Sequence, residues 1–207
     1  MSTTMTRPRR ILWFTLFVSF TALVVWLVYH ETRVPQNEGE VLNRMIELQQ
    51  EGRYDKAAHV VQDWMNDGRR DISHDEILYH QIATVYIVRA YKRPRSRAES
   101  IHLAEMNLEK SLDLFEKEKS KENDTWLFGI GAGYEALGDI SDKDKCQFYA
   151  KARQVIARQL PLIKGDSYTA YGHTTPLEPV RAEVRKHLDV VKLKLSQSGC
   201  PAEVEKQ

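Results

Sequence analysis

The sequence has few of the residues that mark turn-rich, disulfide-rich or nucleic-acid-binding proteins. Its 207 residues include only 2 cysteines, too few for a disulfide scaffold or a four-thiolate zinc site. With 10 glycines and 7 prolines, the composition fits long helices better than a turn-rich β fold. Its 30 basic and 29 acidic residues nearly cancel, which argues against a dedicated nucleic-acid binder and an acidic disordered tail. We therefore expect no nucleic-acid partner.

Motifs of several enzyme classes are also missing. The chain has no G-x-x-x-x-G-K-[ST] phosphate loop and no H-E-x-x-H zinc motif. The glycines of GIGAG, residues 129–133, lack the preceding strand that a nucleotide-binding loop needs, and their setting indicates close helix packing instead. The 7 histidines are scattered, and no nucleophile, base and orienting group come together. The sequence thus predicts a protein that is not an enzyme, without a cofactor or a metal site.

One long apolar run lies near the amino terminus. Its 19 residues, Ile11 to Tyr29, include no charged side chain. A helix of that length spans about 28 Å at ~1.5 Å per residue, close to the ~30 Å hydrocarbon core of a bilayer. Trp13 and Trp26 lie near its two ends, where amphipathic rings suit the membrane interfaces. The alternative is a cleaved signal peptide, but no small-residue cleavage site follows, so we expect a single-pass anchor.

The charges that flank this run predict its orientation. Arg7, Arg9 and Arg10 precede it, whereas only Arg33 lies close behind it. The positive-inside bias places the amino terminus in the cytoplasm and the remaining chain outside it, in the periplasm if the host is a bacterium. The reverse topology, with an N-anchored receptor or adaptor facing the cytoplasm, is the alternative.

Beyond this run, apolar residues recur three and four positions apart, which indicates amphipathic helices. Breaks are expected after Gly52, at Asp67-Gly68 and at Gly138-Asp139, and a loop at Gly165 and over residues 171–176. The last helix is predicted over Leu177 to Ser196. The resulting organisation is a short basic tail (1–10), a transmembrane helix (11–29), a linker (30–38), a helical domain (39–197) and a tail (198–207).

Three segments of the helical domain share residues with a known repeat. They are 38–70, with LQQEGRYDKAAHVVQDW; 75–115, with ILYHQIATVY and LAEMNLEKSLDL; and 124–160, with WLFGIGAGYEALGD and CQFYAKARQV. These segments resemble tetratricopeptide (TPR) repeats, helix–turn–helix units of about 34 residues with small and aromatic residues at fixed places. The resemblance implies an all-α, TPR-like α-solenoid of stacked helical hairpins behind one N-terminal transmembrane helix. The matching residues are Gly52, Tyr54, Ala57, Ala58, Trp64, Ala83, Tyr86, Ala104, Leu108, Leu112, Trp126, Gly131, Tyr134 and Gly138.

The resemblance also implies a function. TPR-like proteins bind peptides or partner helices in a concave groove lined by the first helix of each pair, so protein or peptide partners are expected here. The function predicted is a membrane-anchored scaffold in the assembly or quality control of envelope complexes; a helical enzyme is the weaker alternative. The groove positions carried over from the family are Asn43, Gln49, His80, Thr84, Phe128 and Glu135.

Two further features are open to interpretation. A basic cluster around Pro94 could bind anionic headgroups, phosphate or an acidic partner, or could be a solvated loop. In an oxidising compartment Cys146 and Cys200 could pair and clip the tail to the third repeat, whereas two unpaired thiols are the default. The members of the basic cluster are Arg89, Lys92, Arg93, Arg95 and Arg97.

Overall fold

The computed structural model describes residues 35, 37–67, 75–117, 126–170 and 173–200. The chain divides into two units, Met1–Glu38 and Gly39–Gln207. The predicted anchor, Ile11 to Tyr29, and the basic tail before it lie outside the described residues. Within the described ranges, no helix has the length and apolar character needed to cross a membrane.

The described part of the second unit is predominantly helical, which confirms the all-α prediction. Short 3₁₀ turns follow two of the helices, at Pro94–Ser96 and Leu160–Leu162. The helices, numbered in chain order, are α1 (Glu38–Gln50), α2 (Tyr54–Met65), α3 (Asp75–Lys92), α4 (Arg97–Lys117), α5 (Trp126–Ile140), α6 (Lys145–Gln159) and α7 (Leu177–Gln197).

Two predicted helix boundaries are confirmed. Gly52 follows α1 with a φ of +74°, a left-handed conformation that glycine adopts without a Cβ penalty. α7 begins at Leu177, directly after Pro176, and ends one residue beyond the predicted Ser196. Its apolar positions repeat with helical spacing, so one stripe of the helix is buried. The buried members of that stripe are Leu177, Val184, Val191 and Leu195.

The predicted break at Gly138-Asp139 is wrong. α5 continues through both residues to Ile140, and the chain turns over residues 141–144 instead. Gly138 lies against the ring of Tyr149, where a Cβ would stand 2.5 Å from two ring carbons. The glycine therefore allows a close approach of α6 and does not end the helix.

The predicted loop before α7 contains a small antiparallel hairpin. Strand β1 (Ser167–Ala170) pairs with β2 (His173–Pro176), with Ser167 opposite Pro176. Threonines and a tyrosine dominate this segment, and such β-branched and aromatic residues favour extended backbone over helix. A prediction based only on the turn signals of Gly165 and Pro176 misses it.

α3 with α4, and α5 with α6, pack as antiparallel hairpins. Ser111, near the end of α4, donates a 2.7 Å hydrogen bond to the carbonyl of Glu76 at the start of α3. Gln159, at the end of α6, accepts a 3.2 Å hydrogen bond from the backbone N–H of Phe128 near the start of α5. Each contact joins the end of one helix to the start of its partner, which requires opposite directions.

Alternate helices lie side by side and run parallel. In one layer, His80 of α3 contacts Gly129 of α5, and α5 in turn contacts α7. In the other layer, Lys151 of α6 bonds Glu105 of α4 at 2.8 Å, and Arg158 bonds Glu116 at 2.8 Å. The domain therefore has two layers: α3, α5 and α7 form one, and α4 and α6 form the other.

Glycines in α5 let the two layers approach closely. A Cβ on Gly131 would lie 2.3 Å from Cγ1 of Ile156 in α6, and one on Gly133 would lie 2.8 Å from Leu108 in α4. Real Cβ atoms do not come this near to other carbons. A side chain at either position would therefore require Ile156 or Leu108 to move. The GIGAG run is thus a packing surface, as its helical setting predicts.

Candidate functional site

The structure separates the six predicted groove residues into two groups. Asn43 is exposed and Gln49 half-buried on α1, and within the described residues neither makes a hydrogen bond, ion pair or ring contact with the others. The remaining four lie on α3 and α5, the two neighbouring helices of the first layer. The candidate site is therefore built on these helices and on α7 beside them.

His80 is half-buried where α3 meets α5. Its Nε2 lies 3.1 Å from the carbonyl oxygen of Gly129, and its ring meets Trp126 edge-on at 5.0 Å between centroids. Burial lowers the pKa of His80 below its usual range, although the bond to Gly129 partly opposes the shift. The neutral ring is therefore favoured. Thr84 donates a 3.0 Å hydrogen bond to the carbonyl of His80, which leaves its methyl group for packing.

Phe128 and Glu135 lie where α5 contacts α7. The ring of Phe128 meets His187 edge-on, with centroids 4.9 Å apart. Glu135 is only 7% exposed, and its carboxylate contacts Nζ of Lys194 at 2.7 Å and Nε2 of His187. Because a buried carboxylate without a cation would be costly, these contacts fix α7 against α5.

A polar network continues from Glu135 to the end of α5. Lys194 also reaches both carboxylate oxygens of Asp139 at 2.8 Å, and the hydroxyl of Tyr149 donates a 2.7 Å bond to Asp139. One lysine thus joins two carboxylates of α5 to α7, and one tyrosine joins Asp139 to α6. Such charge-assisted bonds are stronger than neutral ones and hold the three helices in register.

The surroundings raise the pKa values of Lys194 and Tyr149. Burial opposes the charged form of Lys194, but its hydrogen bonds to Asp139 and Glu135 outweigh burial and raise its pKa. Burial and then the bond to Asp139 raise the pKa of the Tyr149 hydroxyl well above its ordinary value. Both groups therefore hold their protons at neutral pH. The site presents a fixed ammonium between two carboxylates and offers no ready proton donor or acceptor from these two groups.

Tyr91 extends this site to the surface. It lies at the end of α3, is 50% exposed, and is close enough to Asp139, Lys194 and Glu135 to interact with their charges. Burial, and then the charge of Asp139, raise the pKa of its hydroxyl. An exposed aromatic ring beside a charged network is typical of protein-binding surfaces, where tyrosine is enriched. We define the first-layer face as Thr84, Val88 and Tyr91 of α3, Glu135 and Asp139 of α5, and His187 and Lys194 of α7.

The predicted basic cluster is not a single solvated loop. Arg89 is buried and bonds both Asp55 of α2 and Glu99 of α4 at 2.7 Å. The guanidinium of Arg93 covers the ring of Tyr54 at 5.0 Å and donates to the carbonyl of Gly52. These two arginines hold the first hairpin against α3 and α4, so they are not free for a ligand. Of the other three members, Lys92 and Arg95 are exposed and Arg97 is half-buried.

Cys146 and Cys200 are joined by a disulfide, with their Cα atoms 5.5 Å apart. Cys146 lies in the first turn of α6, and Cys200 lies just after the end of α7. The bond therefore fastens the carboxy-terminal end of α7 to α6. α7 is also the helix that carries His187 and Lys194. Of the two alternatives that the sequence leaves open, the structure has the paired form.

Sequence reasoning missed most of the polar partners in this site. Gln159 is fully buried and satisfies a backbone N–H in the first turn of α5, yet nothing in its local sequence marks it. His187 and Lys194 are seven residues apart, so they share one flank of α7 beside its apolar stripe. That spacing is the sequence signal that both side chains lie on one side of α7. The pairing of His187 and Lys194 with Glu135 depends on α5 lying beside α7, and the periodicity of α7 alone does not show which helix lies there.

The described side chains include no group of three or more histidine, cysteine, aspartate or glutamate residues that could hold a metal ion. Comparison with protein-family models, with curated protein sequences and with solved structures finds no match.

Proposed function

We propose that this protein is a membrane-anchored, TPR-like scaffold that binds protein partners through the first-layer face. Its setting would be the assembly or quality control of envelope complexes. The observation that carries the proposal is the parallel row of α3, α5 and α7, which places Tyr91, Asp139 and Lys194 together at the surface. In TPR-like proteins the equivalent first helices line the partner-binding groove.

The two-layer packing supports the TPR-like part of the proposal. The first helices α3 and α5 meet each other, and so do the second helices α4 and α6, as repeated hairpins do when they stack. Small residues lie at the close contacts, including Gly131 against α6 and Gly133 against α4. Regular contacts of this kind leave one face of each first helix available for a partner.

The location proposed for the domain is outside the cytoplasm, with Ile11 to Tyr29 as the anchor. The Cys146–Cys200 disulfide favours this topology over a cytoplasm-facing receptor, because structural disulfides persist in oxidising compartments. We expect a carboxy-terminal reporter that functions only outside the cytoplasm to be active on the full-length chain. A well-expressed but inactive fusion would instead support the cytoplasm-facing receptor.

Partner binding can be tested by site-specific crosslinking in native membranes. We expect a photo-crosslinking residue in place of Tyr91 to give a discrete protein adduct whose yield saturates as expression rises. Lys194→Glu should reduce this adduct several-fold, because it reverses the charge that lies between Glu135 and Asp139.

Met106 provides the matched control for this experiment. It is 52% exposed, close to the exposure of Tyr91, but lies on α4 in the other layer. The same crosslinker at Met106 should not give the adduct. Identical adducts from both positions, or no saturable adduct from Tyr91, would show that the first-layer face is not the binding surface.

A further inference from the structure

A second surface of the domain is an open groove between α6 and α7. Its volume is about 560 Å³, and half-buried Leu188 supplies apolar surface in it. The charged residues that line it are all basic: Arg153, Arg158 and Lys192. Arg158 pairs with Glu116 of α4 and Lys192 with Asp189 on its own helix, whereas Arg153 has no such pair within the described residues. Because the whole chain has a net charge of only +1, this sign bias is a local property.

The groove occupies a defined place in the two-layer packing. α4 packs against α3 and also against α5, where Leu108 meets Gly133. In the same way α6 packs against α5 and also against α7, to which the disulfide joins it. A further helix in the second layer would pack against α7 and lie beside α6. That position is the open groove between α6 and α7.

The contact between α4 and α6 shows which charges two neighbouring second-layer helices bring together. α6 lies beside α4 with Lys151 held by Glu105 and Glu109, each at 2.8 Å, and Arg158 held by Glu116. Basic residues of one second-layer helix thus meet acidic residues of the next one. The opposite flank of α6 again carries a basic residue, Arg153. Within the described residues Arg153 has no ion pair or hydrogen bond from its side chain.

We propose that the α6–α7 groove binds an acidic amphipathic helix of a partner protein. Arg153 of α6 is the cation to be matched from that helix, because Arg158 is already held by Glu116 of α4. Lys192 faces the same space from α7. Carboxylates at i and i+4 of a partner helix lie on one face, about 6 Å apart along its axis, so one can meet Arg153 and the other Lys192. Apolar residues at i+3 and i+7 of the partner contact Leu188 and Ala157.

This surface is separate from the first-layer face. The groove lies between α6 and α7, whereas Thr84, Val88 and Tyr91 lie on α3. A partner helix in the groove therefore leaves Tyr91 free. Crosslinking at Tyr91 and helix binding in the groove can succeed or fail independently, so loss of one does not imply loss of the other.

The test measures fluorescence polarisation of a short labelled helical peptide against the full-length chain in zwitterionic nanodiscs. The peptide has glutamates at i and i+4 and leucines at i+3 and i+7. We expect saturable binding that weakens as salt concentration rises. Arg153→Glu combined with Lys192→Glu should raise the Kd about tenfold or more, since two of the three basic residues that line the groove are reversed. Lys192→Gln alone, a milder change, should raise it less.

Lys186→Glu is the matched control. Lys186 is on the same helix as Lys192 but points outward, with 75% of its side chain exposed. Its reversal should change the Kd by less than about twofold. A glutamine-for-glutamate peptide should bind at least tenfold more weakly, as expected for charge recognition. The proposal is overturned if this neutral peptide binds equally well, if no peptide binds, or if a short-chain phosphatidylserine, but not the peptide, shows sensitivity to the double reversal.

Discussion

Gly131→Ala should lower the free energy of unfolding by about 2 kcal/mol, even though alanine is the better helix former. The new Cβ would lie 2.3 Å from Cγ1 of Ile156 and 3.3 Å from the carbonyl oxygen of Ala152. Ile156 is fully buried and the carbonyl belongs to the backbone of α6, so neither can move aside cheaply. The measurement is chemical denaturation followed by circular dichroism.

Gly129→Ala is the matched control on the same helix. Its Cβ would stand 3.6 Å from Nε2 of His80, an ordinary contact distance. This variant should be unchanged or stabilised by up to about 1 kcal/mol, because alanine restricts the unfolded chain more than glycine does. Adding Ile156→Ala to Gly131→Ala should cost less than the sum of the two single changes. Equal stabilities for Gly131→Ala and Gly129→Ala would show that α5 and α6 are not packed this closely.

Removal of the disulfide should have the larger effect. The bond links residues 54 positions apart, and closing a loop of that length restricts the unfolded chain by about 4 kcal/mol in the chain-entropy model. Cys200→Ser should therefore lower the free energy of unfolding by about that amount. Denaturation of the wild type with and without a reducing agent measures the same difference without a substitution.

The double variant Cys146→Ser with Cys200→Ser separates the bond from other effects of reduction. Its stability should equal that of the reduced wild type and should not respond to the reducing agent. If reduction destabilises the double variant as well, the agent acts elsewhere. If it leaves the wild type unchanged, the cysteines are not paired in the protein.

Much of the helical layout could be read from local sequence. The helical spacing of Val184, Val191 and Leu195 placed α7 to within a residue of its end, because the stripe that α7 buries is recorded in its own sequence. Gly52 likewise marked the end of α1 through its backbone conformation. The break predicted at Gly138 is wrong because a glycine can either end a helix or allow another helix to pack closely. Only the position of Tyr149 on α6 shows that Gly138 allows close packing.

The candidate site was harder to predict. His80, Thr84, Phe128 and Glu135 come from a pattern within α3 and α5, and the structure places all four on neighbouring helices. The partners of Glu135 come from α7, more than 50 residues later, and no local pattern pairs a carboxylate with a particular distant lysine. Arg89 is a residue whose burial the sequence does not show. It belongs to a run of basic residues that suggests a surface cluster, yet Asp55 of α2 and Glu99 of α4 bind it in the interior.

The polar seam between α5 and α7 has a consequence for how the domain can come apart. Hairpin contacts such as Tyr149–Asp139 join residues 10 positions apart, whereas Lys194–Asp139 spans 55. Opening of this seam exposes charged groups that water can solvate, but it also exposes the buried apolar stripe of α7, which opposes separation. The disulfide adds a covalent limit, because it keeps the carboxy-terminal end of α7 beside α6 even when the seam opens.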